Sequence, residues 1–274
     1  MRKALRRYLK DGSKDFVFSG VNDAFIHVLG NGPSLSDSIE LISKGDDVIM
    51  VNDSLLTELF FELEPRYLCF ADPVYFEKTD DGNQEKNKRQ MVEKLEQVDW
   101  NLTIVMPAGA DIPAFHINDA YISFCYVNTV VLDHSIKFAR WPLYKQNFSM
   151  PSLQNVIVCG IYVSLQKGYH KVYLHGVDSD SYKNICINQQ NEMVMREFHY
   201  YGNSDRNLNE EKHHGFVKGT LYKRLMCEVT MFRSYVDLAS YAKHLGISVI
   251  NASPNSMIDA FERYDHDGKS KRLI

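Results

Sequence analysis

Short apolar runs alternate with amphipathic stretches along most of the chain. Runs of strand length occupy residues 25–29, 48–51, 67–70, 102–106, 121–127, 171–174 and 247–250. Apolar positions at helical spacing predict helices over about 154–167 and 220–245, and each is followed by a glycine that suits a helix end, Gly168 and Gly246. Strands that alternate with helices are typical of an α/β fold, so we predict a mostly parallel sheet.

Three further helices and one long loop complete the predicted elements, and one of these helices continues from the polar stretch 77–93 to Val98. A helix pattern begins at Ser34 or Ser36 and ends at Gly45, and a short helix is predicted over 257–263. Within the helix 220–245 the spacing predicts one inward apolar face, made of Leu225, Val229, Phe232, Val236, Ala239, Ala242 and Leu245. Residues 179–215 are polar and contain tyrosines, and they suggest a long irregular loop, which in a compact domain is usually functional or mobile.

Small or polar residues follow most of the predicted strands. They are Asn31, Asn52, Asp72, Asp178 and residues 253–256. Parallel sheets bind ligands beyond the carboxyl ends of their strands, so we expect these residues to line a crevice.

The segment Gly30-Asn31-Gly32-Pro33-Ser34 joins a strand to a predicted helix. Two glycines let a backbone approach a phosphate, and a helix start offers free N–H groups. A tight strand–helix turn would need the same residues, and the segment matches neither a GxGxxG motif nor a P-loop.

The other strand ends allow two interpretations each. An amide such as that of Asn52 suits ribose hydroxyls or a cytosine edge, but it also forms local turns, as Asp72 can. Residues 253–256 could contact a base or ribose, or cap a turn.

Titratable residues in the polar loop are candidates for chemistry. His213 and His214 have the side chain of a general base near neutrality, although adjacent surface histidines are often inert. Asp178-Ser179-Asp180 could pass for a metal-binding DxD motif, a weaker alternative, and no HEXXH or calcium-loop spacing occurs, so we predict no metal site.

Charge and cysteine content narrow the class of protein. The formal net charge of −4 argues against a nucleic-acid binder. Five cysteines without a CxxC pair suggest reduced thiols and a cytoplasmic protein, and no apolar run is long enough to cross a bilayer. The stretch from Met1 to Lys10 carries five basic residues and no acid, which suits either peripheral contact with the inner membrane or a solvated terminus.

Three sequence blocks in this order resemble a known family. IHVLGNGPSL, KGYHKVYLHGVD and VINASPNSMIDAFERY are similar to segments of the bacterial sialyltransferases of glycosyltransferase family forty-two, over about 25–76 and 154–264. The resemblance implies a Rossmann-like sheet with helices on both faces, a GT-A-like variant. It also implies a basic N-terminal segment (1–20) before a single domain (21–274) that carries a lid at about 179–218.

Donor-binding roles carry over by position. The resemblance implies that Gly30, Asn31, Gly32 and Ser34 hold the phosphate and ribose of CMP and that Asn52 lies near the donor. It also implies donor contacts at the positions Gly176, Asp178, Asn155, Pro254, Asn255 and Ser256. Asp72 stands where the family has asparagine, and Ser253 replaces a cysteine. The family's Thr-Ser-Gly helix start is not intact here, and Ser152, Gln154 or Asn155 takes its place.

Catalytic roles are implied in the same way. The family's base is a lid histidine about 35 residues after its aspartate, and His213 and His214 lie 35 and 36 residues after Asp178. Tyr182, with Tyr200 or Tyr201 behind it, matches the tyrosines that stabilise the leaving phosphate.

The resemblance implies an inverting, metal-independent transfer without a cofactor. Sialic acid or a related nonulosonate would pass from a CMP-sugar to a hydroxyl of a bacterial surface glycan such as lipooligosaccharide, O-antigen or capsule, and the enzyme would form a homo-oligomer. Three alternatives share these features: a Kdo transferase, a pterin-diphosphokinase-like enzyme that uses ATP and Mg²⁺, and a non-catalytic nucleotide-binding protein.

Overall fold

A computed structural model of the chain describes residues 16–76, 82–110, 112–117, 120–132, 139–200, 202–207 and 220–265. Its strands are β1 (Asn22–Leu29), β2 (Val48–Val51), β3 (Tyr67–Cys69), β4 (Leu102–Pro107), β5 (Ile122–Val127), β6 (Tyr169–His175), β7 (Ile185–Ile187), β8 (Met193–His199), β9 (Gly202–Asn207), β10 (Ser248–Asn251) and β11 (Glu262–Arg263). Its helices are α1 (Glu58–Leu63), α2 (Gly82–Leu95), α3 (Arg140–Lys145), α4 (Val156–Gln166) and α5 (Leu221–Leu245).

Eight parallel strands form the main sheet, in the order β11-β10-β6-β1-β2-β3-β4-β5. From β1 the chain proceeds through β2 to β5 on one side, whereas β6, β10 and β11 lie on the other. The strand order therefore reverses between β1 and β6, and a crevice opens beyond the carboxyl ends of strands at such a point. The predicted α/β fold with a mostly parallel sheet is confirmed.

Helices cover both faces of this sheet. Ile49 and Val51 of β2 pack on the side of α4 and α5, whereas Val48 and Met50 pack on the side of α1 and α2. All four residues are buried, because a central parallel strand has no solvent face. This explains why the predicted strands appear in the sequence as continuous apolar runs.

The two long predicted helices are present. Asn155 caps α4, where its side chain accepts a hydrogen bond from the Ile157 N–H. Thr220 caps α5, which ends at Gly246 with a positive φ of 74°. Phe16, before β1, is buried against the ring of Tyr162 in α4, so the core includes a residue that precedes β1.

The predicted helix after Gly32 is wrong. Two short 3-10 turns (Pro33–Asp37 and Ile39–Leu41) stand there, and neither Ser34 nor Ser36 acts as a side-chain cap. The Ser34 N–H instead donates to the carboxylate of Asp178. This is a tertiary contact, which a local sequence pattern does not predict.

The short helix predicted over 257–263 is also absent. Glu262–Arg263 forms β11 beside β10. The Asn251 side chain donates to Ser256 Oγ, which also accepts from the Ile258 N–H. These bonds form a turn between β10 and β11.

The inward face of α5 differs from the predicted one. Leu225, Val229 and Val236 are 43%, 56% and 52% exposed, whereas the buried residues are Glu228, Met231, Ser234, Tyr235, Leu238, Tyr241 and Ala242. The polar members of the buried face have local partners, since Ser234 Oγ donates to the Thr230 carbonyl and Glu228 pairs with Arg224. Polar residues with such partners tolerate burial, so the buried face is only partly the predicted one. Ala242 is buried and Phe232, Ala239 and Leu245 pack against the core as predicted.

The segment predicted as an irregular loop contains regular structure. Strands β7, β8 and β9 form a three-stranded antiparallel sheet within the range predicted for the lid. At the β8–β9 turn the Tyr200 N–H donates to the Asn31 carbonyl, at 3.2 Å, so this second sheet lies against the loop after β1. Residues 208–219 lie outside the described part of the chain.

Candidate functional site

Two adjoining cavities lie at the carboxyl edge of the main sheet. The first, about 260 Å³, lies between the loops after β1 and β6, the end of β2 and the N-terminus of α4. The second, about 430 Å³, lies between the ends of β2 and β3 and the same end of α4. Both are lined by Asn52, Asn155 and Val156, so they form one cleft at the point where the strand order reverses.

The floor of the first cavity is a close contact between the loops after β1 and β6. The N–H groups of Gly30 and Gly32 donate to the carbonyls of His175 and Gly176, at 2.8 and 2.9 Å. A Cβ on Gly30 would overlap the Gly176 carbonyl oxygen, and one on Gly32 would overlap the carboxylate of Asp178. The glycines are therefore required for the approach of the two loops, whatever the cavity binds.

Asp178 joins these loops and also faces the first cavity. It is 7% exposed, and its Oδ2 accepts from the Ser34 N–H at 3.1 Å. Its Oδ1 is buried and has no hydrogen-bond partner among the described residues. A buried carboxylate oxygen without a partner is costly, so a hydroxyl or amino group of a ligand would satisfy it.

Asn52 occupies the boundary of the two cavities in a constrained conformation. Its φ is 50°, in the left-handed region, where a non-glycine residue is uncommon. Its Oδ1 is buried and has no partner among the described residues. The amide is thus held where it can accept a hydrogen bond from a ligand that spans both cavities.

The helix N-terminus at this site is that of α4. Asn155, Val156 and Ile157 line the first cavity, and the Asn155 side chain accepts from the Ile157 N–H at 2.8 Å. The positive end of the helix dipole therefore points into the cleft. From the residues alone a phosphate-binding helix start is predicted after Gly32, whereas the resemblance implies a donor contact at Asn155, which lines the first cavity.

The second cavity is lined by a mixture of amide, acidic and apolar side chains. Asn52, Gln154 and Asn155 supply amides, and Asp72 supplies a carboxylate whose Oδ1 accepts from the Val74 N–H at 3.1 Å. The apolar part is Ala71, Pro73, Leu153 and Val156.

Residues 253–256 contact the loop after β6 through Ser253 but do not line the cavities. Ser253 is fully buried, and its Oγ accepts from the Val177 N–H at 2.8 Å. Pro254 and Asn255 are exposed, Ser256 bonds within its own turn, and none of the three lines either cavity. Ser34 is buried beside Asp178 but does not line the cavities either.

The lid residues predicted for catalysis are only partly described. The ring of Tyr182 lies 6.1 Å from that of Phe232 in α5 and lines neither cavity. Burial raises the pKa of Tyr200, whose backbone contacts Asn31. His213, His214 and Tyr201 lie outside the described residues, so their roles stay predictions.

Two lid residues without a predicted role, Ser181 and Asn184, line the first cavity beside Asp180 of the Asp178-Ser179-Asp180 motif. Asp180, Ser181 and Asn184 lie at the short turn that begins the inserted segment. Because this stretch lacks any apolar period, only the fold shows that it borders the cleft.

A buried histidine pair lies directly beneath the loops after β1 and β6. The Nδ1 of His27 and the Nε2 of His175 are 2.9 Å apart, and neither side chain is exposed. Burial lowers the pKa of His27 to about 4, and the nearby Asp46 opposes this only in part. His27 is therefore neutral at physiological pH.

The described residues contain neither a cluster of metal ligands nor a membrane-spanning helix. No group of three or more histidine, cysteine, aspartate or glutamate side chains is placed to hold a metal ion there. None of the helices in the described ranges combines the length and apolar character that a membrane span needs. The stretch from Met1 to Lys10 lies outside those ranges.

Comparison with known proteins gives matches among solved structures only. The sialyltransferase CstII from Campylobacter jejuni in complex with cytidine-5'-monophosphate matches with 14% identity and a TM-score of 0.44, covering 89% of this chain and 86% of that one. An alpha-2,3-sialyltransferase from Campylobacter jejuni matches with 13% identity and a TM-score of 0.42, covering 94% and 91%. No family model and no curated sequence matches this chain. With TM-scores below 0.5, the fold assignment rests on the chain's own sheet order and the function on its own cleft.

Proposed function

We propose that this protein is a glycosyltransferase that binds a CMP-sugar in the cleft and transfers the sugar to a hydroxyl of a bacterial surface glycan. The transferred sugar is sialic acid or a related nonulosonate. The transfer inverts the anomeric centre and needs no metal ion. The observation that carries this proposal is the first cavity at the strand-order reversal, where the Gly-Asn-Gly-Pro-Ser and Gly-x-Asp motifs are in direct contact.

The chemistry of the cleft fits the parts of such a donor. The N-terminus of α4 suits the phosphate, because the positive end of its dipole favours an anion. The unpartnered oxygens of Asp178 and Asn52 accept from hydroxyl or amino groups, which the ribose and cytosine provide. The second cavity adjoins the phosphate position and is large enough for a sugar ring.

The reaction breaks the bond between the anomeric carbon and a phosphate oxygen, which keeps the electron pair. The acceptor hydroxyl oxygen attacks the anomeric carbon and loses its proton to His213 or His214. The dipole of α4 and a lid hydroxyl stabilise the charge on the departing CMP, and Tyr201 is the predicted donor, since Tyr182 lines neither cavity.

A second candidate function is supported by the acidic side of the first cavity. Asp178 and Asp180 both line it, and none of its described lining residues is basic. Two carboxylates beside a nucleotide phosphate are a common Mg²⁺ arrangement, so an ATP-dependent diphosphokinase-like reaction would use the same cleft.

The test is donor hydrolysis by the purified chain. CMP-Neu5Ac, CMP-Kdo and ATP are each incubated with and without EDTA, and release of CMP or AMP is followed. We expect CMP release that resists EDTA and falls at least about 100-fold in the His213→Ala/His214→Ala double variant, which removes the predicted base.

ATP turnover that EDTA abolishes, with no CMP release, would replace this proposal by the second candidate. CMP binding without any turnover would indicate a non-catalytic nucleotide-binding protein.

A further inference from the structure

The guanidinium of Arg263 binds the backbone of one turn. Arg263 belongs to β11, the edge strand beside β10, and its side chain reaches residues 253–256. Its Nη1 donates to the Ser253 carbonyl at 3.0 Å and lies 3.5 Å from that of Pro254, and its Nη2 donates to the Ser256 carbonyl. The Ser256 N–H in turn donates to the Ser253 carbonyl, at 3.3 Å. Arginine offers its donors in a rigid planar fork, so it fixes the carbonyls that it bridges relative to one another.

The same turn holds the loop after β6 at two points. The Val177 N–H donates to Ser253 Oγ, and the Met257 N–H, just after the turn, donates to the Asp178 carbonyl, both at 2.8 Å. The backbone of residues 177–178 is therefore bound to the turn at both of its ends. Because Val177 and Asp178 line the first cavity, the turn fixes one wall of that cavity.

Asp178 carries this constraint into the cleft. Its backbone is bound beside the turn, and its Oδ2 accepts from the Ser34 N–H at 3.1 Å. Its Oδ1, the buried oxygen without a partner among the described residues, is therefore confined to a narrow range of positions. A hydrogen bond weakens steeply with a poor angle or a longer distance, so the placement of this oxygen decides how well it meets a ligand.

We infer that Arg263 is a positioning residue of the nucleotide site: it shapes the turn, and the turn holds the loop that carries Asp178. The inference rests on the proposed function, which makes CMP the ligand. Arg263 lines neither cavity, so it acts on the nucleotide only through the loop. Residues 254–256, for which the resemblance implies donor contacts, then act on the donor through Val177 and Asp178 and not directly.

Amide hydrogen exchange and CMP calorimetry on the full chain test this inference with two variants. Arg263→Ala removes the donors and the charge, whereas Arg263→Lys keeps the charge and loses the planar fork. In Arg263→Ala we expect exchange at Val177 and Met257 to accelerate about tenfold or more, with exchange at Val28 in the centre of the sheet unchanged. CMP affinity should fall about tenfold in Arg263→Ala and about threefold or more in Arg263→Lys.

The matched control is Arg233→Ala, which removes an exposed arginine from α5 and should alter neither exchange nor affinity. Unchanged CMP affinity in Arg263→Ala, or an equal loss of affinity in Arg233→Ala, would overturn the inference alone. Full affinity in Arg263→Lys would overturn it too, because the charge and not the fork would then matter. Exchange that accelerates equally at Val28 and Val177 would replace it by a role in overall stability.

Failure of the unmodified chain to bind CMP would overturn the proposed function, and the role of Arg263 in nucleotide binding with it. Exchange at Val177 and Met257 would still show, independently of any ligand, whether Arg263 holds the loop after β6.

Discussion

Gly32 has no room for a side chain. A Cβ there would lie 2.6 Å from the Gly176 carbonyl oxygen and would overlap the carboxylate of Asp178. Both neighbours are fixed, because Gly176 accepts from the Gly32 N–H and Asp178 accepts from the Ser34 N–H. The residue thus serves stability and site geometry through the same contact.

Gly32→Ala tests this contact. We expect the free energy of unfolding to fall by about 1–3 kcal/mol, since the loops after β1 and β6 must separate to admit a methyl group. CMP affinity should fall about tenfold or more because the same loops form the first cavity. Chemical denaturation and calorimetry measure the two effects, and Asp37→Ala, an exposed change in the next turn, is the control. Unchanged stability and CMP affinity in Gly32→Ala would show that the loops are not in contact.

At the scale of the element, the buried face of α5 differs in part from the face that its apolar spacing predicts. Its apolar residues lie on more than one side, and the buried side includes Glu228 and Ser234, which have partners one turn away. Tyr235 and Leu238 on that side are fully buried in the core, whereas Leu225 and Val229 are about half exposed. The helix is therefore held by Tyr235 and Leu238 together with the C-terminal part of the apolar stripe, which packs against the same core.

Two alanine variants distinguish the faces of α5. Leu238→Ala should lower the free energy of unfolding by about 2–5 kcal/mol, since it leaves a cavity in the core. Leu225→Ala, the same change on the predicted face, should cost less than about 0.5 kcal/mol. Urea denaturation of both variants provides the measurement, and the reverse order of the two costs would restore the face that the spacing predicts.

At the scale of the whole molecule, the pH dependence of stability should carry the signature of the buried histidine pair. The pKa of His27 in the folded state, about 4, lies below its usual value near 6.5. Between these two values the unfolded chain binds a proton at this residue and the folded chain does not. Stability at this site is therefore complete above about pH 6.5, is lost as the pH falls, and levels off below about pH 4.

His27→Gln removes this contribution and keeps a polar side chain. We expect the difference in unfolding free energy between pH 7 and pH 4.5 to be smaller in the variant, by at most about 3 kcal/mol. Denaturant titrations at both pH values measure it. An equal pH dependence in the two proteins would mean that His27 is not held neutral in the fold.

Local information accounts for the main sheet and for much of the cleft. The strand of residues 48–51 is an uninterrupted apolar run, because a central parallel strand is buried on both faces. Asn31, Asn52, Asp72 and Asp178 follow strands, and since all the main strands are parallel, these residues meet at one edge and line the cleft.

The sequence by itself therefore determined the α/β class, the parallel sheet and the edge at which the cleft lies, because uninterrupted apolar runs mark strands buried on both faces and helices between consecutive strands favour parallel pairing. Only the tertiary structure decided that no α-helix starts after Gly32, that Glu228 and Ser234 belong to the buried face of α5, and why Gly32 cannot carry a side chain. Each of these depends on a contact between distant residues, such as the one from Ser34 to Asp178 across 144 positions. Such contacts replace a predicted helix by a turn and exclude a side chain at Gly32. A local sequence pattern does not show where a distant loop will lie.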